Sequence, residues 1–143
     1  MADLNKLADS FNEAFNRHDV EALAQMTTEN VTLKAPTGTV TGREAGKAYN
    51  QAWFDAFPDA RITVTNRIVG NNVVVEEGVF EGTHTGTFQT PAGDIPPTGR
   101  SIRGPYCGIS EYEGDLTASS RLYYDQVDVL TQLGLMPAPA GVA

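Results

Sequence analysis

Only one cysteine, Cys107, occurs in the 143 residues, so no disulfide can form within the chain. With only two histidines, no Cys/His cluster has the spacing of a structural zinc site. Positive charge is scarce as well. Ten Lys and Arg stand against eighteen Asp and Glu, a formal net charge of −8, which repels nucleic-acid phosphates and anionic membrane surfaces. Nowhere do the roughly 18 consecutive apolar residues of a membrane span occur. The opening Met1-Ala2-Asp3-Leu4-Asn5-Lys6 carries an acid and lacks the apolar stretch of a signal peptide. These absences lead us to expect a soluble, cytoplasmic protein with no metal, cofactor, nucleic-acid or membrane partner. What is present is ordinary: 41% hydrophobic and 20% charged residues, globular values in a chain long enough to bury roughly 68–70% of its unfolded surface.

Leu4, Leu7, Ala8, Phe11, Ala14 and Phe15 recur at helical spacing, with Asp3, Asp9, Glu13 and Arg17 off the stripe. Asp19 stands where an N-cap belongs, ahead of a short second helix bearing Val20, Leu23 and Met26, after a break at residues 16–18. His18 falls in that helical corner as a surface or capping residue. Val31 to Ala35 predicts a brief strand, and Pro36-Thr37-Gly38 a turn toward a third helix that begins near Gly42 and stops at Pro58.

From Arg61 the period changes to two, with Ile62, Val64 and Ile68 alternating with Arg61, Thr63 and Arg67. Gly70-Asn71-Asn72 predicts a hairpin turn into a long strand from Val73 to about Phe88, whose glycines at 78, 82 and 86 predict bends. Residues 90–99 hold Pro91, Pro96 and Pro97 and read as a loop. Strands follow over about 101–112 and 116–124, then a short helix through Leu133, capped by Asp125 or Asp128. Helices followed by antiparallel strands predict an α+β fold: a cone-shaped barrel of strongly curved, mostly antiparallel sheet packed on about three N-terminal helices, with a central pocket. Residues 1–135 form a single domain in this reading, and 136–143 a flexible tail.

Several segments resemble the polyketide cyclase (SnoaL-like) or ester cyclase family of the nuclear-transport-factor-2-like superfamily. They are Asn16-Arg17-His18-Asp19-Val20-Glu21-Ala22-Leu23, Ala56-Phe57-Pro58-Asp59, Gly82-Thr83-His84-Thr85-Gly86, Pro96-Pro97-Thr98-Gly99-Arg100, Tyr124-Asp125 and Gln132-Leu133-Gly134-Leu135. The resemblance implies the same cone, a homodimer through the outer sheet face, and a pocket in which a carboxylate closes a polyketide ring by intramolecular aldol condensation. It implies neither metal nor organic cofactor. The family's His-x-Asp pair on the last strand falls here at about Ser120 and Leu122, neither of which is an acid or a base.

Other residues must therefore carry the chemistry, if there is any. Asp125 is the nearest carboxylate, and its alternative role is the helix cap. His84 shares strand parity with Val74, Glu76, Phe80 and Phe88. Pairing Val74, Gly78 and Phe80 with Ile68, Val64 and Ile62 turns this face inward, with Glu76 opposite Asn66; a one-residue slip brings Glu77 and Glu81 inside instead. In the first register His84 lines the cavity, either as a catalyst or as a hydrogen-bonded wall residue. Glu76 is then either a buried base or a solvated strand-end carboxylate. Tyr49, Trp53 and Phe57 at i, i+4 and i+8 serve as core or pocket floor, and Phe80, Tyr106, Leu122 and Tyr124 extend the wall. Arg61, Arg67, Arg121 and Tyr123 lie on the outer parity, where a mixed sheet face suits a homodimer. Cys107 reads as a small buried apolar residue. The expectation is a cofactor-independent acid/base enzyme on a small apolar, oxygenated molecule, with His84, Asp125 and Glu76 as catalytic candidates. The alternatives are a non-catalytic binding protein for such a ligand, and a different reaction such as isomerisation or epoxide opening in the same cone.

Overall fold

The computed structural model describes residues 3–137. Three aspartates set three helix starts. The side chains of Asp3, Asp19 and Asp125 accept from the backbone N–H of Lys6, Ala22 and Asp128, ahead of α1 (Leu4–Asn16), α2 (Val20–Gln25) and the last helix, α4 (Gln126–Gln132). Between α1 and α2, His18 takes a left-handed φ of 59°. Its Nε2–H donates to the Ala60 carbonyl at 2.7 Å, and its ring stacks on Phe54 at 4.2 Å. The corner is thus tied to the chain that follows α3 (Arg43–Ala56).

The strands are β1 (Thr27–Ala35), β2 (Gly38–Thr41), β3 (Arg61–Val69), β4 (Val73–Thr83), β5 (Phe88–Thr90), β6 (Gly93–Ile95), β7 (Ser101–Glu113) and β8 (Leu116–Tyr124). Six of them form one sheet in the order β2-β1-β8-β7-β4-β3, antiparallel except where β1 lies parallel to β8. The fold is α+β, with α1 and α3 against the concave side of the curved sheet. On β3, one of the two edge strands of this sheet, the Ile62 N–H and C=O both turn to Asn16 of α1, at 2.8 and 3.0 Å. The core gathers Leu23, Trp53, Phe54, Phe57, Phe88 and Ile102 between α3 and the sheet. No helix among the described residues is long and apolar enough to cross a membrane.

The structure departs from the sequence expectations in three places. The turn after Pro36 folds back as β2, and β1 starts at Thr27, so the brief strand expected at 31–35 is a hairpin. β4 ends at Thr83 rather than Phe88. There the N–H groups of Thr85 and Gly86 both donate to the Ala56 carbonyl at the end of α3, and a Cβ on Gly86 would collide with the Asp55 carbonyl. The backbone of α3 thus bends the chain off the sheet, and residues 88–95 form the separate β5–β6 hairpin. Third, the β3–β4 pairing is as expected at Ile62 with Phe80 and Val64 with Gly78, but a bulge between Val64 and Asn66 shifts it by one thereafter. Arg67 now pairs with Glu76, where Asn66 was expected, and Ile68 pairs with Val75. Arg67 therefore turns to the helix side instead of the outer face, and Ile68 is left 60% exposed. Of the expected tail, Met136 is exposed, and residues 138–143 lie outside the described residues.

Candidate functional site

The concave side of the sheet, the four helices and their junctions enclose a cavity of about 220 Å³. Alternation on each strand decides what reaches it. On β4 it is Val74, Glu76 and Phe80; on β7 Tyr106, Gly108, Ser110 and Tyr112; on β8 Ser120, Leu122 and Tyr124. Tyr49 and Trp53 of α3 close the wall opposite. Trp53 sits at its centre, with ring centroids 5.3 Å from Phe80 and 5.9 Å from Tyr124. Tyr106 can lie across β4 because its cross-strand partner is Gly78, where a Cβ would come within 2.6 Å of the phenol ring and 2.8 Å of the Thr63 carbonyl.

Three hydroxyls in this wall, those of Tyr49, Tyr106 and Tyr124, are buried without a hydrogen-bond partner. A buried hydroxyl without a partner costs free energy, so three of them beside one apolar cavity point to a group supplied from outside the chain. Burial pushes the Tyr106 phenol up to about 12, with a contribution from the negative charge of Glu76. It raises Tyr124 as well, with Tyr49 adding to it, and raises Tyr49 itself. All three therefore remain protonated donors at neutral pH.

Glu76 is the one carboxylate placed on a strand inside the cavity wall. Its Oε2 lies 2.9 Å from both Nε and Nη2 of Arg67, and Asn12 Nδ2 donates to Oε2 at 3.1 Å and Oε1 at 3.3 Å. Neither a free strand-end carboxylate nor an isolated buried one describes it. Asp125 stands at the rim, where its Oδ1 accepts the Asp128 N–H at 3.0 Å as the cap of α4. Beside it Gln132 clamps α4 to β7. It accepts from the Arg103 N–H at 2.8 Å and donates to the Arg103 carbonyl and the Asp128 carboxylate at 3.0 Å each.

His84, expected on the wall, is fully buried but does not border the cavity. Beyond the end of β4 its backbone bonds to Gly99 and Arg100, which carries the imidazole behind Phe57, 5.2 Å between ring centroids. Thr98 supplies its N–H at 3.3 Å and its hydroxyl at 3.0 Å to Nδ1, which puts the ring proton of the neutral form on Nε2. Phe57 is likewise wholly buried in the core, off the cavity. Cys107 is half-buried and sits on the outer sheet face, between Glu77 and Tyr123. Ser120 and Leu122 do border the cavity, the Ser120 hydroxyl 3.5 Å from that of Ser110. Sequence reasoning overlooked Asn12 and Arg67. The signal was the spacing 5, 9, 12, 16 of Asn5, Asp9, Asn12 and Asn16, a polar stripe at helical period whose every member bonds to β3 or β4. Among the described residues no group of three or more His, Cys, Asp and Glu side chains is placed to hold a metal ion.

The family model described as SnoaL-like polyketide cyclase matches residues 5–133. None of the curated proteins matches the sequence. Solved structures with this fold include TsrD from Streptomyces laurentii, 22% identical over 95% of this chain and 100% of that one, with a TM-score of 0.81. IdmH from Streptomyces antibioticus, a candidate polyketide cyclase, is 23% identical over 93% and 99%, with a TM-score of 0.76. A hypothetical protein with a ketosteroid isomerase-like fold from Catenulispora acidiphila DSM 44928 is 21% identical over 91% and 93%, also at 0.76.

Proposed function

Because the chain belongs to the SnoaL-like polyketide cyclase family, we propose that it is a cofactor-independent acid/base enzyme acting on an apolar, oxygenated small molecule held in the cone. The observation that carries this reading is the meeting of one carboxylate and three partnerless phenols on an otherwise largely apolar wall. Glu76 removes a proton from a carbon beside a carbonyl. The C–H electron pair moves onto that carbonyl oxygen as an enolate, which accepts hydrogen bonds from the tyrosine hydroxyls. The enolate carbon then attacks a second carbonyl of the same molecule; that carbonyl's π pair moves onto its oxygen, and the proton held by Glu76 passes to the resulting alkoxide, which closes the ring and restores the base. Asp125 holds the rim through its cap, and His84 supports the core behind Phe57. The chain works as a homodimer through the outer sheet face.

A second reading has its own support. Ser120 and Leu122 stand on the wall where the family's His-x-Asp pair falls, as they would in a protein that binds such a ligand and leaves it unchanged.

Native mass spectrometry of freshly purified protein tests the shared premise. A retained small molecule bearing a carbonyl or phenol oxygen is expected. Tyr106→Phe and Tyr124→Phe should each weaken its retention about tenfold, the worth of one hydrogen bond. Each should also stabilise the empty protein by about 1 kcal/mol in urea unfolding, because a buried hydroxyl without a partner is removed. Unchanged retention in the double variant removes the tyrosines from the site. Conversion of a β-polyketone ester to a ring product, abolished by Glu76→Gln, separates the enzyme from the binder.

A further inference from the structure

An arginine that forks a carboxylate ordinarily spends its two parallel N–H groups on the two oxygens. Arg67 does not. Its Nε and Nη2 both approach Oε2 of Glu76, each at 2.9 Å. Asn12 adds a third donor to the same oxygen at 3.1 Å, so Oε2 is crowded, whereas Oε1 receives only the longer 3.3 Å contact from that amide. The guanidinium is itself fixed from the other side. Its Nη2 meets Oδ1 of Asp9 at 2.7 Å, and its Nη1 meets both the carbonyl and Oδ1 of Asn5 at 3.3 Å. All three anchoring residues, Asn5, Asp9 and Asn12, belong to α1. The bulge between Val64 and Asn66 is what turns Arg67 to this side of the sheet at all.

We propose that Arg67, which lies off the cavity, and Asn12, which borders it, are positioning residues that hold the Glu76 carboxylate edge-on, with Oε2 engaged and Oε1, bound only by the longer Asn12 contact, serving as the base. The inference rests on Glu76 being the base of the proposed reaction. In the proton-transfer step the substrate C–H bond breaks, its proton passes to Oε1, and its electron pair delocalises onto the substrate carbonyl. Arg67 touches neither the cavity nor the substrate. Its contribution is to fix the orientation of the carboxylate, which makes a productive geometry permanent instead of one rotamer among several. An ion pair that merely tied α1 to the sheet would gain more from the two-oxygen fork.

The reaction can be read without the natural substrate by using 5-nitrobenzisoxazole, a neutral bicyclic carbon acid. A base takes its C3 proton, the C–H pair completes the nitrile as the N–O bond breaks, and the departing oxygen leaves as a coloured 2-cyano-4-nitrophenolate. The native protein should exceed the same concentration of acetate by about 10²-fold or more, and Glu76→Gln should return the rate to background. Arg67→Gln should lower kcat about tenfold with KM changed less than about twofold, and Arg67→Lys should recover part of the loss. Asn12→Ala, which leaves the ion pair in place, should lower kcat about threefold to tenfold and keeps the test available if Arg67→Gln does not fold. A native rate at background, or a full rate in Glu76→Gln, overturns the base itself and this inference with it. Loss in Glu76→Gln with native kcat in folded Arg67→Gln or in Asn12→Ala overturns the positioning role alone.

Discussion

The imidazole of His84 has no solvent exposure, with one nitrogen held by Thr98 and the ring packed against Phe57 and Phe88. Burial lowers its pKa from the usual 6.5, against a smaller raising contribution from the Gly86 backbone. The unfolded chain therefore takes up a proton on this residue at a higher pH than the folded chain does. Wherever the unfolded state binds more protons, stability increases with pH, so the stability associated with neutral His84 is present above about pH 6.5 and lost as pH falls toward the folded value. The melting temperature should drop between about pH 7.5 and about pH 5.5. In His84→Asn, whose Oδ1 can take over acceptance from Thr98, that drop should flatten. Thermal unfolding of both proteins at the two pH values is the check, and an unchanged slope in the variant would assign the acid sensitivity elsewhere. A structural histidine of this kind was hard to tell from a catalytic one in the sequence. Parity along β4 favoured the wall, and the contact of Gly86 with the end of α3 that breaks that parity is long-range.

Among the elements, α1 does more than its apolar stripe announces. Asn5, Asp9, Asn12 and Asn16 follow one another at single-turn spacing and bind β3 and β4 along their length. Asn16 satisfies both polar groups of Ile62 at the sheet edge. Asn16→Ala should therefore cost about 2 kcal/mol in urea unfolding, two part-buried hydrogen bonds at about 1 kcal/mol each. A loss of only a few tenths would mean that water replaces the amide freely. The helices and their aspartate caps were legible because both signals are local. The β3–β4 register was legible only as far as Val64. Alternation holds over residues 61–64 and lapses at Thr65-Asn66-Arg67, three polar residues in a row, which leaves the register beyond Val64 open to either parity. Energetics place it there. Exposing Ile68 forfeits about 1.5–3 kcal/mol of burial, while a carboxylate on the cavity wall without its partner costs about 3–5 kcal/mol. Turning Arg67 inward is the cheaper arrangement.

For the molecule as a whole, the α+β order and most of the cavity wall could be read ahead because strand alternation on β4, β7 and β8 converges on one hollow. Tyr49, Trp53, Phe80, Tyr106, Leu122 and Tyr124 all border it. The same alternation puts Ile68, Val75 and Ile109 side by side across β3, β4 and β7 on the opposite face, with Tyr123 48% exposed nearby. The Ile68 exposed by the bulge becomes intelligible if a second copy covers this strip. Net charge opposes such pairing at long range, but at physiological salt it is screened beyond about 8 Å. The Glu111–Arg121 pair at 2.8 Å next to the strip neutralises charge locally. Sedimentation should find a dimer, and Ile109→Glu should raise its dissociation constant about 100-fold or more, since a second carboxylate would be buried at the β7 end of the strip beside an Arg121 already held by Glu111. Turnover of 5-nitrobenzisoxazole should survive in that variant, because Ile109 faces away from the cavity. A native protein that sediments as a monomer, or an Ile109→Glu protein that still pairs, would move the interface off this face.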